Sequence, residues 1–287
     1  NSLNAIKKEK ERIKIVSLER IMVEFNKIML SAKPSLGLRL MEETGLMQII
    51  LPELTALKGI EEVEGQTHKD NFWHTLEVVD NISKNTENLW LRWAALLHDI
   101  GKAPTKKFVD GIGWTFHGHE FLGSKMVKNL FYRLKLPLGS DMKYVQKLVK
   151  LSSRPIALVD DGTSDSALRR LLFDAGDDLE DLFILNKADI TTKNSSKQAK
   201  FKKNFEDVAV KIKEVEEKDQ IRNFQPPISG EEIMALFGLN PGREIGILKE
   251  KVKEAILEGE IGNDKEQARE FVIKEGKLLG LEIADSV

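Results

Sequence analysis

All five histidines lie between positions 68 and 119 of a 287-residue sequence. Three short runs hold the groups that can do chemistry: FWHTLEVV at 72–79, LLHDIGK at 96–102 and NKADI at 186–190. They offer two imidazoles, His74 and His98, and two carboxylates, Asp99 and Asp189. Imidazole nitrogen with carboxylate oxygen suits a divalent ion (Mg, Mn, Ni, Fe or Zn), and carboxylates favour the harder metals. Adjacent His98 and Asp99 diverge by ~100° on a helix, yet both can reach one ion lying against its last turn. Burying that pair at the end of an apolar helix is costly unless something neutralises it, as an ion would. His74 alone is more often a helix-surface or hydrogen-bonded core histidine than a ligand. Asp189 gains its weight from the company of the others.

Groups this far apart need a scaffold, and the sequence points to helices. Eight prolines in the whole chain, with apolar residues recurring at three and four, predict an all-α fold. Ile21, Met22, Phe25, Ile28 and Met29 form one stripe over 17–30, with Ser17 as its N-cap. Two helices are predicted over 71–84 and 87–100, the second (LWLRWAALLHDI) apolar nearly all round and therefore buried. Others follow near 119–134 and 140–152, and from Asp177 or Asp178 to about Thr191. A long helix is predicted from Ser195 to about Arg222. Pro226–Pro227 then marks a linker, and helical segments follow from Ser229 and near 243–258 and 264–279. No β-hairpin signal and no internal repeat is evident.

Composition sets the outer bounds. Apolar residues at 41% support sizeable cores, and the net charge of -2 gives no global signature of a nucleic-acid binder. No cysteine is present, which excludes disulfides and thiolate metal sites and favours the cytoplasm. No apolar run approaches the ~18–20 residues that span a membrane. The charged helical pattern of the first residues reads as part of something longer.

At the histidine runs the chain resembles the HD superfamily of metal-dependent phosphohydrolases, whose H…HD…D order maps onto His74, His98 with Asp99, and Asp189. The resemblance implies a phosphate-neutralising role for Lys102. It also matches HGHEFLGS at 117–124 to a family segment that puts His119 and Glu120 near the site. Around that core the chain is similar to bacterial CCA-adding tRNA nucleotidyltransferases and poly(A) polymerases. SLERIMVEFNKIM and PSLGLRLMEETGLMQIILPEL resemble their neck and body, and ISGEEIMALFGLNPGREIGILKEKVKEAILEGEI their tRNA-binding tail. The implied organisation is a helical neck over 1–52, an HD metal-binding domain over 53–193 and a helical body or tail over 194–287. The implied chemistry is metal-activated water attacking a nucleotide or RNA phosphoester, with Lys102 or Arg154 steadying the phosphate.

Two departures from the family narrow this. No Gly-rich strand-turn with paired aspartates is found, so these residues are not expected to add CCA by themselves. Where two-metal HD enzymes place a further histidine, this chain reads LVKLSSRP, with Ser152 at that position, which argues for a single ion. Six lysines against one aspartate between Lys187 and Lys203 can track a phosphate backbone or form a solvated helix face. Arg243 after Asn240-Pro241-Gly242 opens a helix whose free N–H groups can bind phosphate. The expected RNA contacts are Lys200, Lys203, Arg243 and Lys249, with tRNA as partner. A free-standing nucleotide phosphohydrolase and a non-catalytic, metal-stabilised tRNA grip remain as alternatives. The tryptophans at 73, 90, 93 and 114 read as core.

Overall fold

The three-and-four spacing becomes helix almost everywhere in the computed structural model. It describes residues 2–160, 164–191 and 195–284, apart from the side chains of 159, 160, 195, 197, 198 and 200–202. The first helices are α1 (Ser2–Glu9), α2 (Leu18–Leu30), α3 (Pro34–Thr44), α4 (Leu46–Ile50) and α5 (Pro52–Thr55). Then come α6 (Asn71–Ser83), α7 (Leu89–Leu97), α8 (Lys102–Thr105), α9 (His119–Arg133), α10 (Ser140–Leu151) and α11 (Arg154–Asp160). The last are α12 (Asp165–Ala175), α13 (Leu179–Asp189), α14 (Ser195–Asp219), α15 (Gly230–Phe237), α16 (Arg243–Glu258) and α17 (Lys265–Leu278). The fold is predominantly all-α. Among the described residues no helix is long and apolar enough to cross a membrane.

Two small antiparallel ribbons correct the expectation of no hairpins. β1 (Glu62–Val63) pairs with β2 (Gln66–Thr67), and β3 (Lys107–Val109) pairs with β4 (Gly113–Thr115). The first turn is Glu64–Gly65, both at positive φ (52° and 75°), which is a primed hairpin turn with Glu in place of the usual Asn or Asp. Strands of two or three residues are too short to leave an alternating pattern. The helix Asp165–Ala175, capped by the Ser164 hydroxyl, was also not anticipated.

The chain divides into two compact units, one of Asn1–Pro155 with Asp178–Ala199, the other of Ile156–Asp177 with Lys200–Val287. The three-way reading divides the chain differently. Segment 156–177 groups with the second unit, and 1–52 groups with the metal-binding helices. In the first unit α7 is the central element. It packs against α2, α6, α10 and α13, and Leu91, Trp93, Leu96 and Leu97 are fully buried. In the second unit α12, α15 and α17 each pack on α16, around Leu172, Ile233, Leu248 and Val272. A reciprocal capping box, Ser229 with Glu232, starts α15.

Arg92 is the one charged residue of α7, and it is 3% exposed. Its guanidinium donates to the carbonyls of Met29 (2.7 Å) and Ser31 (3.0 Å) at the end of α2. It also donates to Ser83 (3.2 Å) and Thr86 (2.8 Å) at the end of α6. Two helix C-termini, each with orphan carbonyls and partial negative charge, thus converge on one cation. Arg92→Met keeps the volume but strands those carbonyls, so a loss of ~3 kcal/mol is expected. A urea midpoint that falls with unchanged slope is the readout. A midpoint equal to the wild type's would show that water replaces the guanidinium freely.

Candidate metal centre

Helix ends set the site. The Asp70 carboxylate caps α6 by accepting from the N–H groups of Phe72 and Trp73, which fixes the first turn and buries His74. His98 is the C-cap residue of α7, with Asp99 next in the chain. Asp189 is the last residue of α13. The Asn81 side chain, on α6, donates to the carbonyl of Ala188 (3.2 Å), tying the end of α13 to α6.

The four groups converge. The Nε2 of His74 lies 2.7 Å from Asp189 Oδ1 and 3.9 Å from Asp99 Oδ2. The Nε2 of His98 lies 3.4 Å from both Asp99 Oδ2 and Asp189 Oδ1. Ligand atoms of His74, His98 and Asp99 all fall within 4.8 Å of one another, and all three residues are buried. Ligands held ~2.1 Å from one ion sit ~3.0 Å apart at right angles and ~3.4 Å apart at the tetrahedral angle. The observed spacings bracket those values.

His98 supplies the sharpest indication. Its Nδ1 donates to the Ala95 carbonyl (2.8 Å), which turns Nε2 into the cluster. There Nε2 is buried and, among the described residues, makes no hydrogen bond. Burial pushes this imidazole down, but Asp99 and Asp189 outweigh it and lift its pKa to about 10. Burial pushes both carboxyls up, and the His98 charge overcomes it and holds them well below the usual carboxylate range. A divalent ion in place of the His98 proton would satisfy the orphan nitrogen and both carboxylates, so the residues present fit a metal.

Asp99 has a second side. Its Oδ1 is 3.6 Å from Nε2 of His119, whose Nδ1 donates to the Phe116 carbonyl (2.9 Å). The Lys102 ammonium is 2.7 Å from Asp99 Oδ2. The His119 ring is also 3.3 Å from Glu120 Oε2, and Glu120 accepts from the Ser153 hydroxyl. Ser153, not Ser152, is the serine turned to this group. Ser152 is buried and donates to the Val149 carbonyl in its own helix (3.0 Å). Arg154 starts α11 immediately after.

Sequence reasoning missed two partners of His74. The Lys69 ammonium is 2.8 Å from His74 Nδ1 and 2.7 Å from the Thr191 hydroxyl, which itself sits 3.1 Å from Nδ1. Burial pushes the Lys69 amine down, opposed by Asp189. His68 lies outside the cluster, edge-on to Trp114 (5.0 Å between centroids). Of the four tryptophans only Trp93 is buried, and Trp73 is 40% exposed. Arg243 and Lys203 are exposed and Lys249 is half-buried. The side chain of Lys200 lies outside the described residues.

Residues 71–189 match the HD domain family. Residues 1–58 match the family described as the probable RNA and SrmB-binding site of polymerase A. The chain is 34% identical to the CC-adding tRNA nucleotidyltransferase of Thermus thermophilus over 89% of its length. It is 31% identical to the A-adding tRNA nucleotidyltransferase of Deinococcus radiodurans over 91%. The chain thus carries an HD domain and a polymerase A RNA-binding segment and is similar over about nine-tenths of its length to tRNA nucleotidyltransferases. It spans a little over half of those two relatives, 56% and 59% of their lengths. The multifunctional CCA protein of Pseudomonas fluorescens aligns over 45% of the chain at 29% identity, covering 31% of that protein.

Proposed function

We propose that this chain is the RNA-binding and HD portion of a tRNA nucleotidyltransferase, and that its HD cluster hydrolyses a phosphoester at an RNA or nucleotide end. The observation that carries the reading is the buried, unbonded Nε2 of His98 facing two carboxylates at ligand spacing. His74, His98, Asp99 and Asp189 would hold one divalent ion, whose contribution when bound is Lewis acidity and a lowered pKa for a coordinated water. Lys102, with its side chain 21% exposed beside Asp99, is placed to neutralise a substrate phosphate. Glu120, oriented by Ser153, is the candidate proton carrier, with Arg154 as a second phosphate contact. His119 is the candidate fifth ligand through the far side of Asp99.

The match of 1–58 to an RNA-binding family supports RNA over a free nucleotide as substrate, with tRNA the candidate from the relatives' names. Lys200, Lys203, Arg243 and Lys249 are the proposed contacts to its backbone. With tRNA as the proposed substrate, the cytoplasm is the proposed location. With the Ser152 hydroxyl committed to its own helix, a single ion per chain is the expected stoichiometry.

The test presents the purified polypeptide with tRNA ending in a 2′,3′-cyclic phosphate, and with a chromogenic phosphodiester, in Mg, Mn or Ni. Metal-dependent hydrolysis that disappears in His98→Ala is expected. Under the same conditions, tRNA lacking its CCA end, with ATP and CTP, is expected to stay unextended by these 287 residues. A chain that binds its ion yet hydrolyses neither substrate would leave the metal a structural role. Extension of the tRNA would overturn the expectation that these residues do not add CCA by themselves.

A further inference from the structure

The exposed face of α9 is not accounted for by the metal centre. Phe121, Lys125, Lys128 and Tyr132 are spaced by four, three and four residues, which sets them within about 60° of arc on one strip about 16 Å long. The opposite face, with Gly123, Val127, Leu130 and Phe131, is buried and holds the helix to the first unit. Phe121 is 56% exposed and Tyr132 66%. A single exposed ring needs no explanation; two rings alternating with lysines on one strip are a pattern. Lys125 sits 4.1 Å from the Phe121 ring centroid, and Lys135, just past the helix, 5.3 Å from that of Tyr132.

The charge is one-sided. Among the described residues Lys125, Lys128 and Lys135 make no ion pair. The only acid of α9, Glu120, is engaged by Ser153 and His119. Three cations and no anion on this strip contrast with a chain whose net charge is -2. Lysines on a surface attract any polyanion, but the rings discriminate. Exposed aromatic faces stack on unpaired bases, whereas a duplex keeps its bases inside and an acidic peptide offers nothing to stack. The strip also has a terminus at the site, because α9 begins with His119, whose Nε2 is 3.6 Å from Asp99.

We propose that this face of α9 is a track for single-stranded RNA that leads the strand's end to the HD cluster. The binding stands on the strip alone; the delivery to the cluster rests on the phosphoester reading above. The two parts are separable by experiment. Anisotropy of a labelled single-stranded RNA oligonucleotide with a 3′-hydroxyl, titrated with the full chain, reads binding without hydrolysis. Phe121→Ala and Tyr132→Ala are each expected to weaken it about 5- to 100-fold. Lys125→Ala with Lys128→Ala is expected to reduce the slope of log affinity against log salt by about 1.4. Because all four side chains point to solvent, thermal midpoints should match the wild type's and so report intact folding. A wild type that binds through this strip but hydrolyses no phosphoester would refute the hydrolase and leave the track standing. Full affinity in the ring and lysine variants overturns the track, and equal losses for a duplex of the same sequence overturn its single-strand character.

Discussion

Asp99→Ala is expected to take the divalent ion content of the chain from about one per molecule to near zero. Asp99 is 3% exposed, touches His98 and faces His119 with its other oxygen. Its removal deletes the most central donor and leaves Asp189 as the cluster's one carboxylate. Loss of an outer-shell partner costs ~10–100-fold in metal affinity, and loss of a ligand should exceed that. Elemental analysis of protein purified without chelator reads the result. The pH dependence adds a second readout. The metal-free His98, with its pKa of about 10, carries a proton at pH 7 that an ion must expel. Affinity should therefore climb as pH rises from 7 toward 10, with a proton released on binding. The stability of the metal-free chain has the opposite sign. A raised imidazole pKa contributes stability that is complete below its ordinary value near 6.5 and is lost as pH rises through about 10. Metal-free protein should thus weaken over the same interval in which the loaded protein gains. Unchanged metal affinity between pH 7 and 9 would show that His98 carries no proton for the ion to expel in that range.

Gly101→Ala is expected to be the most damaging added methyl among the described glycines. A Cβ at Gly101 would lie 2.1 Å from the His119 carbonyl oxygen, 2.9 Å from its carbon and 2.8 Å from the Gly123 nitrogen. All three are main-chain atoms, so no side chain can swing aside. The φ of −75° is ordinary, which makes the demand one of space and not of backbone conformation. A cost of ~4 kcal/mol or more is expected, beyond usual overpacking because neither segment can yield. Separation of α8 from α9 would also carry His119 away from Asp99. Gly246→Ala is the internal contrast: within α16, nothing lies within 4 Å of its added carbon. That change should be neutral or stabilise by ~0.5–1 kcal/mol. Denaturation of both variants reads the difference, and a Gly101→Ala midpoint level with that of Gly246→Ala would show the crossing to be loose.

The metal cluster was legible because its ligands sit on or beside strongly patterned helices. The His98–Asp99 pair ends an apolar run, and that conflict with burial is visible without coordinates. Lys69 and Thr191 were not legible. Thr191 meets His74 and Lys69 across 117 and 122 residues, which nothing in local pattern predicts, and Lys69, five residues before His74, belongs to no motif. Ser152 drew attention by its place in a motif, while its neighbour Ser153 makes the contact with Glu120, because one step along a helix end redirects a side chain by ~100°. Periodicity recovered the long helices to within a few residues. It failed at the two ribbons, whose strands are shorter than any alternating pattern can be. Trp73 shows the limit of composition: a large apolar ring was assigned to the core and stands 40% exposed. The strip on α9 escaped notice for a related reason, since only burial separates its rings from Phe131.

Residues 1–58 and 71–189 match different families, yet Arg92 of the second stretch holds the end of α2 in the first. The boundary between residues 58 and 71 is therefore not a mechanical one. A chimera that grafted this neck onto another HD block would need a cation at the position of Arg92, or it would leave the end of α2 facing an apolar wall. Recombination between the two blocks is thus constrained by a single side chain lying some twenty residues beyond the boundary.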